Sequence, residues 1–426
     1  MSFRDLSLTE KSLSALEKAG YEAPTPIQAQ AIPPALAGKD VIGLAATGTG
    51  KTLAFVLPIV ERITARAGTQ ALVLAPTREL AAQIVEQIDK VRHGFHLRAA
   101  LVIGGVGMHP QIQAFKAGTE IIVATPGRLN DHLQQGTARL DHVRMLVLDE
   151  ADRMLDMGFL PQLRRVMQHL PRQRQSLLFS ATMAGEVADF ARTHLHDPVR
   201  VEVVRSGATS ERATQQVFLI GETEKTALLL ALLEQDDLST LVFARTRRRA
   251  DRIAKAIGRA GHEVAVIHSD RSQGQRQAAL EAFKSGEVRV LVATDIAARG
   301  IDVAEIGHVV NFDLPHVPED YVHRIGRTAR MAASGRASSF AAPEEHELLR
   351  GIEKLTRKSV ERAAVPRDSE VFKAEVKRKA ESPQHRSHRP HAQRQHSGAH
   401  APRHQQHGAR GEAPKSLGSW KPRRRR

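Results

Sequence analysis

The chain has 426 residues, 41% of them hydrophobic, no cysteine and a net charge of +15. That length accommodates two or three domains with substantial cores, and the lack of thiols excludes a disulfide framework and thiolate metal sites, which suits a reducing compartment. No stretch approaches the roughly 18 apolar residues of a spanning helix, and MSFRDLSLTEKSL lacks the apolar centre of a signal peptide, so a soluble, cytoplasmic protein is expected.

In chain order, the first half alternates short aliphatic runs with helical spacing. The runs are DVIGLA (40–45), ALVLAP (71–76), RAALVI (98–103), EIIVAT (120–125), MLVLDE (145–150) and SLLFSA (176–181), and RELAAQIVEQIDKV (78–91) has the spacing of a helix. Near-continuous apolar strands separated by helices indicate a parallel sheet covered on both faces. RSGATSERAT (205–214) is polar and aperiodic and reads as a linker. The pattern then restarts with STLVFA (239–244), EVAVIH (263–268), VRVLVAT (288–294), HVVNFD (308–313) and ASSFAA (337–342). From about Pro366 periodicity disappears, and residues 381–414 are mostly His, Arg, Gln, Ser, Gly and Pro, which cannot bury enough apolar surface to offset chain entropy. From Arg367 onward there are 16 Lys and Arg against 5 Asp and Glu, leaving only +4 for the first 366 residues. A basic, disordered tail of this kind attracts polyanions, nucleic acid first; a solubilising extension is the plainer reading.

Ligands of open α/β sheets sit beyond the carboxyl ends of the strands, so the residues after each run carry the chemistry. After the first comes AATGTGKT, Ala45 to Thr52. It matches a phosphate loop except that Ala45 replaces the leading glycine. Thr47, Gly48, Thr49 and Gly50 form the loop, whose amides point at phosphate oxygens. Lys51 can reach the β- and γ-phosphates, and the Thr52 hydroxyl can ligate Mg²⁺. After the fifth run come Asp149, Glu150, Ala151 and Asp152. Alone, that acidic cluster is a solvated strand end. Beside a phosphate loop, Asp149 suits Mg²⁺, Glu150 suits the orientation or deprotonation of the attacking water, and Asp152 lies far enough along to bridge to a neighbouring motif.

DEAD at 149–152, with AATGTGKT, PTREL (76–80), TPGR (125–128), SAT (180–182), ARGID (298–302), HRIGRTAR (323–330) and GYEAPTPIQ (20–28), resembles the DEAD-box RNA helicases over residues 3 to 355. MLDMGF (154–159), PEDYVHRIGRT (318–328) and the basic tail resemble the RhlE-like bacterial branch. The resemblance implies two RecA-like doubly wound domains in tandem: an ATP-binding domain at 1–205, a linker at 206–213, a second domain at 214–365 and the tail at 366–426. It implies that Gln28 reads the adenine edge and that Phe3 supports it, packing against the first helix being the competing role for Phe3. Arg327 and Arg330 would reach across the cleft to the γ-phosphate, as planar, always-charged donors can. His323 and Arg324 would link the nucleotide site to the interface, and Asp302 would contact the ribose or a nearby water. Ser180 and Thr182 would couple hydrolysis to strand separation through the acidic cluster; capping of the next helix is the competing role.

By the same resemblance Pro76, Thr77, Arg78, Gly104, Gly105, Thr125, Pro126, Gly127 and Arg128 contact RNA from the first domain, and Arg245, Thr246, Thr294 and Asp295 from the second. Such groups address the sugar–phosphate backbone and give little sequence preference. Three positions depart from the family pattern: Ala46 for glutamine, and Ser269 and Ala329 for glycine. They bear on rate or loop flexibility, and Ala329 on the presentation of Arg330. The implied activity is RNA-stimulated ATP hydrolysis with ATP and Mg²⁺, coupled to local duplex opening, by a monomer whose partners are RNA and proteins of ribosome assembly or RNA decay. An ATP-gated RNA clamp and a DNA-directed motor are alternatives on the same engine.

Overall fold

The computed structural model describes residues 1–45, 48–65, 68–183, 185–203, 213–295, 306–328 and 335–381. Two seven-stranded, all-parallel sheets lie within one compact unit, Met1–Lys379. The first is built from β1 (Val41–Leu44), β2 (Ala71–Leu74), β3 (Ala99–Val102), β4 (Ile121–Ala124), β5 (Met145–Leu148), β6 (Gln175–Ser180) and β7 (Val199–Glu202). The second comprises β8 (Ala213–Leu219), β9 (Thr240–Phe243), β10 (Val264–Ile267), β11 (Val290–Ala293), β12 (His308–Asn311), β13 (Gly335–Ala341) and β14 (Glu361–Arg362). Their orders are β3-β4-β2-β5-β6-β1-β7 and β10-β11-β9-β12-β13-β8-β14. Each strand of the second sheet thus takes the place of the strand seven earlier in the first, so the restart heard in the sequence is a repeat of topology.

Strands β1, β2, β4, β5 and β6 are buried along their whole length, as apolar runs between two helical layers must be. One face packs the helices Lys51–Arg62 and Arg78–Val91, and the other packs Leu129, Met154, Leu163 and Phe190. Gly43 in β1 has a mechanical reason. A β-carbon there would lie 2.5 Å from the Phe179 ring of β6, and that ring rests on Phe55, centroids 5.4 Å apart, from the helix that follows the phosphate loop. The glycine lets an aromatic pair clamp that helix to the sheet.

The helix expected at 78–91 forms over Arg78–Val91. Three strands had no clear signal. β7 is a four-residue edge strand with one buried side chain, β8 follows the polar linker directly, and β14 is only two residues long. The tail expected from 366 needs correction at its start. Glu370–Glu381 is a helix whose Phe372 is 3% exposed in the cluster containing Phe218, Phe312 and Phe340. Arg367 pairs with Glu224, and Lys379 Nζ donates to the Thr223 carbonyl at 2.9 Å. One phenylalanine inside a charged sequence was enough to dock the segment. Residues 382–426 lie outside the described residues, as do 204–212 of the linker. Among the described residues, no helix is long and apolar enough to cross a membrane.

Candidate nucleotide site and nucleic-acid interface

Gly48 and Gly50 have φ of +83° and +89°, a left-handed backbone that suits glycine. Gly50 is the N-cap of the helix that starts at Lys51, so that helix opens at the loop with its amides and positive dipole end turned outward. Lys51 is 6% exposed. Gln28 is tied to the loop: its Nε2 donates to the Gly50 carbonyl at 2.9 Å, and its Oε1 accepts from the Thr25 amide at 2.9 Å. One amide hydrogen and one lone pair remain for a ligand. Phe3 is buried among Leu6, Leu16 and Ile27, so its visible role is packing. Ala46 and Thr47 lie outside the described residues, as do Asp302, Ala329 and Arg330.

At the end of β5, Asp149 is 2% exposed. Burial pushes its carboxyl up to about 6; Glu150 and Asp152 add to that, while Lys51 opposes it. A buried carboxylate facing a lysine and short of positive charge is chemically suited to a hard cation. Among the described residues no three His, Asp or Glu side chains cluster as a metal cage. Mg²⁺ at Thr52 and Asp149 would therefore take its other oxygens from phosphate and water, as this ion commonly does.

Glu150 adopts φ +52° and ψ +53° at the start of the helix Ala151–Asp156, a conformation that costs a non-glycine residue about 1–2 kcal/mol. The left-handed step separates Glu150 from its neighbours, and its Oε2 accepts from Arg153 Nη1 at 2.9 Å with both side chains nearly fully buried. Arg153 was not singled out in the sequence, although its place three residues after Glu150 on a helix was a usable signal. Asp152 turns the other way. Its Oδ2 accepts from the Ala181 and Thr182 amides at 2.9 and 3.0 Å and from Thr182 Oγ1 at 3.4 Å, and its own amide donates to Ser180 Oγ at 3.3 Å. The bridge between the DEAD and SAT segments is thus a set of charge-assisted hydrogen bonds.

The second sheet brings His323 and Arg327 to this place. Burial drives the His323 imidazole well below its usual value. Arg153 adds to that, Asp152 opposes it, and Arg327 and Lys51 act in the same direction as Arg153. The ring is therefore neutral and faces first-lobe residues. Arg327 is buried. A second contact across the cleft joins Arg276 Nη2 to Glu79 at 2.7 Å, both side chains 8% exposed or less, with Gln273 Nε2 donating to Glu79 at 3.5 Å. Arg276 and Gln273 did not stand out in the sequence, and Glu79, though inside PTREL, was given no role there.

Around the strand ends, Gly104 and Gly105 border Arg78: a β-carbon on Gly105, where φ is +80°, would meet its guanidinium. Thr77 caps the helix Arg78–Val91 by accepting from the Leu80 amide. Thr125 precedes the helix Pro126–Gln134, which carries Gly127, and Arg128 donates to the Val106 carbonyl at 2.9 Å. Pro76 is buried at the end of β2. In the second lobe, Thr246 caps its helix through the Arg249 amide. Arg245 is held by Glu345, and Thr294 directly follows β11. Asp295 does not stand free: both its oxygens accept from Arg324 at 2.6 Å, and Arg324 also bonds Asn311 and the Asp313 carbonyl over the Phe243 ring. Arg324 thus ties the ends of β9, β11 and β12 together. Ser269 follows the buried His268.

The DEAD/DEAH box helicase model matches residues 25–190, and the helicase conserved C-terminal domain matches 224–332. The DEAD-box ATP-dependent RNA helicase CshA of Geobacillus kaustophilus (strain HTA426) is 43% identical over 376 residues, 88% of this chain and 80% of that protein. CshA of Bacillus subtilis (strain 168) is 42% identical over 377 residues, 88% of this chain and 76% of that protein. Among solved structures, S. cerevisiae Dbp5 bound to RNA and ADP BeF3 superposes with a TM-score of 0.78 at 30% identity, covering 88% of this chain and 99% of that one. Mss116p bound to ssRNA and AMP-PNP also gives 0.78, at 27% identity, covering 88% and 80%.

Proposed function

Since the chain belongs to the DEAD/DEAH-box helicase family, we propose that it is an ATP-dependent RNA helicase that couples RNA-stimulated ATP hydrolysis to local opening of short duplexes and to RNA–protein remodelling. The observation that carries the reading is that His323 of one lobe, with Arg327 beside it, is buried within the fields of Arg153, Asp152 and Lys51 of the other.

The Gly48–Gly50 amides, Thr49, Thr47 and Lys51 bind the phosphates, and the free donor and acceptor of Gln28 select adenine. Thr52 and Asp149 would hold Mg²⁺, which would supply positive charge at the phosphates. Glu150 takes a proton from the attacking water. Arg327 and Arg330 stabilise charge on the transferring phosphoryl group, so hydrolysis depends on closure. Asp302 addresses the ribose, and His323 joins the two halves of the site. Asp152 passes the state of the nucleotide to Ser180 and Thr182 through its bonds to that turn. The RNA strand lies along Arg78, Gly104, Gly105, Thr125 to Arg128, Arg245, Thr246 and Thr294, with Asp295 acting through Arg324. Closure bends one strand and displaces its partner; hydrolysis reopens the cleft. Residues 382–426 act as a non-specific RNA tether, a role that tail deletion would refute if RNA affinity and its salt dependence stayed unchanged.

The test is ATP turnover with and without RNA. Wild type is stimulated by RNA and poorly by DNA of the same sequence; Glu150→Gln binds both ligands and turns over at least a hundredfold more slowly. Equal stimulation by DNA would refute the RNA assignment, and full RNA remodelling by Glu150→Gln would favour an ATP-gated clamp. The RhlE-like branch remains our finer assignment, supported by MLDMGF, PEDYVHRIGRT and the basic tail; a phylogeny grouping the chain with the CshA proteins would replace it. A cytoplasmic monomer acting with ribosome-assembly or RNA-decay proteins completes the proposal, and crosslinked RNA sequenced from cells identifies the substrate.

A further inference from the structure

The helix Arg247–Arg259 of the second lobe buries Ala250, Ile253, Ala254 and Ile257. Its opposite face carries Arg248, Arg252, Lys255 and Arg259, all exposed. Steps of four, three and four residues place these side chains on one stripe, about 16 Å long at 1.5 Å per residue. The other basic residues of the helix are committed: Arg247 pairs with Asp270, and Arg249 with Glu222 and Asp313. The helix's own carboxylate, Asp251, points elsewhere and pairs with His268 and Arg271. Among the described residues, none of the four stripe side chains forms an ion pair.

The neighbouring helix Glu370–Glu381 adds to the field instead of cancelling it. Glu375 is used by Arg378. The Lys379 ammonium is pushed down by burial, and Arg378, Arg249 and Arg252 add to that shift while Glu375 opposes it. An uncompensated row of charge that folding leaves outside the core calls for an occupant of opposite sign. Its position names one, because the helix begins at Thr246, whose side chain caps it, immediately beyond Arg245 at the nucleic-acid end of the cleft.

We propose that the Arg248–Arg252–Lys255–Arg259 stripe is a second RNA-backbone site, which holds the strand after it leaves the cleft and carries it down the outer face of the second lobe. Three of the four groups are guanidinium forks, suited to phosphate oxygens. Spacing by helical turns supplies charge without base readout, so the site adds affinity for length and not for sequence. It rests on the RNA helicase reading for the identity of the ligand and for the placing of Arg245 and Thr246 beside it.

The experiment uses the full chain with a non-hydrolysable ATP analogue and measures anisotropy on two unstructured RNAs: a ten-nucleotide strand sized for the cleft and a thirty-nucleotide strand that extends past it. The variant is Arg248→Gln/Arg252→Gln/Lys255→Gln/Arg259→Gln. It is expected to bind the long RNA about tenfold or more weakly at 0.15 M salt, with the slope of log K against log salt shallower by about 2 to 3. Binding of the short RNA and its stimulation of ATPase stay at wild-type values. Lysine at the three arginine positions, with Lys255 kept, restores most of the long-RNA affinity. An equal loss on both lengths, or no loss on either, overturns the proposal. So does a loss confined to anionic phosphatidylserine vesicles, which would assign the stripe to a membrane surface. Failure of RNA to stimulate wild-type ATPase would instead remove the helicase reading itself.

Discussion

Asp149 is buried, and burial outweighs the opposing charge of Lys51, so its carboxyl is pushed up to about 6. Its folded value is above that of the unfolded chain. The native state therefore holds the extra proton between roughly pH 4 and 6 and loses stability as pH rises through that window, by on the order of 2–3 kcal/mol. Asp149→Asn should raise the melting temperature of the ligand-free protein at pH 8 while abolishing ATP turnover; calorimetry and a phosphate-release assay test the two halves. Removing Arg153 has the opposite thermodynamic sign. Arg153→Ala strands the buried Glu150 carboxylate and should cost about 3–5 kcal/mol, read as a lower denaturation midpoint. The sequence singled out the acidic cluster as a candidate site, and the expected bridge from Asp152 to Ser180 and Thr182 forms. The cluster's internal division was not legible in the sequence, because the left-handed turn at Glu150 and the opposite facing of Asp152 depend on backbone angles that letters do not carry.

At the scale of elements, apolar runs and helical spacing locate strands buried on both faces, such as β5. They miss β7, where a single side chain is buried, and β14, whose two residues are held by pairing with β8. They also misplace the end of the fold, because Val371 and Phe372 stand among lysines and glutamates and look like tail. A chain ending at Pro366 should accordingly melt at a lower temperature than one ending at Glu381. Phe372→Ala should cost about 3–5 kcal/mol and expose the amides of the last helix to hydrogen exchange. Gly43→Ala sets a β-carbon against Phe179 and should destabilise by about 1–3 kcal/mol, a loss that Phe179→Leu in the same chain partly recovers.

Contacts between lobes lie beyond any local pattern, since Glu79 and Arg276 are far apart in the chain and meet only when two separately folded sheets face one another. Their pairing is a buried ion pair between the two lobes, near Arg78. Arg276→Glu should weaken ATP-dependent RNA binding roughly tenfold or more, and adding Glu79→Arg should restore part of it; equilibrium binding with and without nucleotide measures both. The family motifs named candidate residues, while counter-charges such as Arg153 for Glu150 and Arg276 for Glu79 emerged only from the folded chain.

The sevenfold offset between the sheets also pairs residues. Lys51 opens the helix after β1, and Lys225 opens the helix after β8; Asp149 follows β5, and Asp313 lies just past β12. In the second lobe that lysine is fully buried and already satisfied, with Glu345 at 2.6 Å, Glu222 at 3.3 Å and Asp313 at 3.9 Å. Carboxylates of the chain surround the second-lobe counterpart of Lys51. The second-lobe lysine thus has its counter-charges from the chain itself, and on our proposal phosphate supplies them to Lys51.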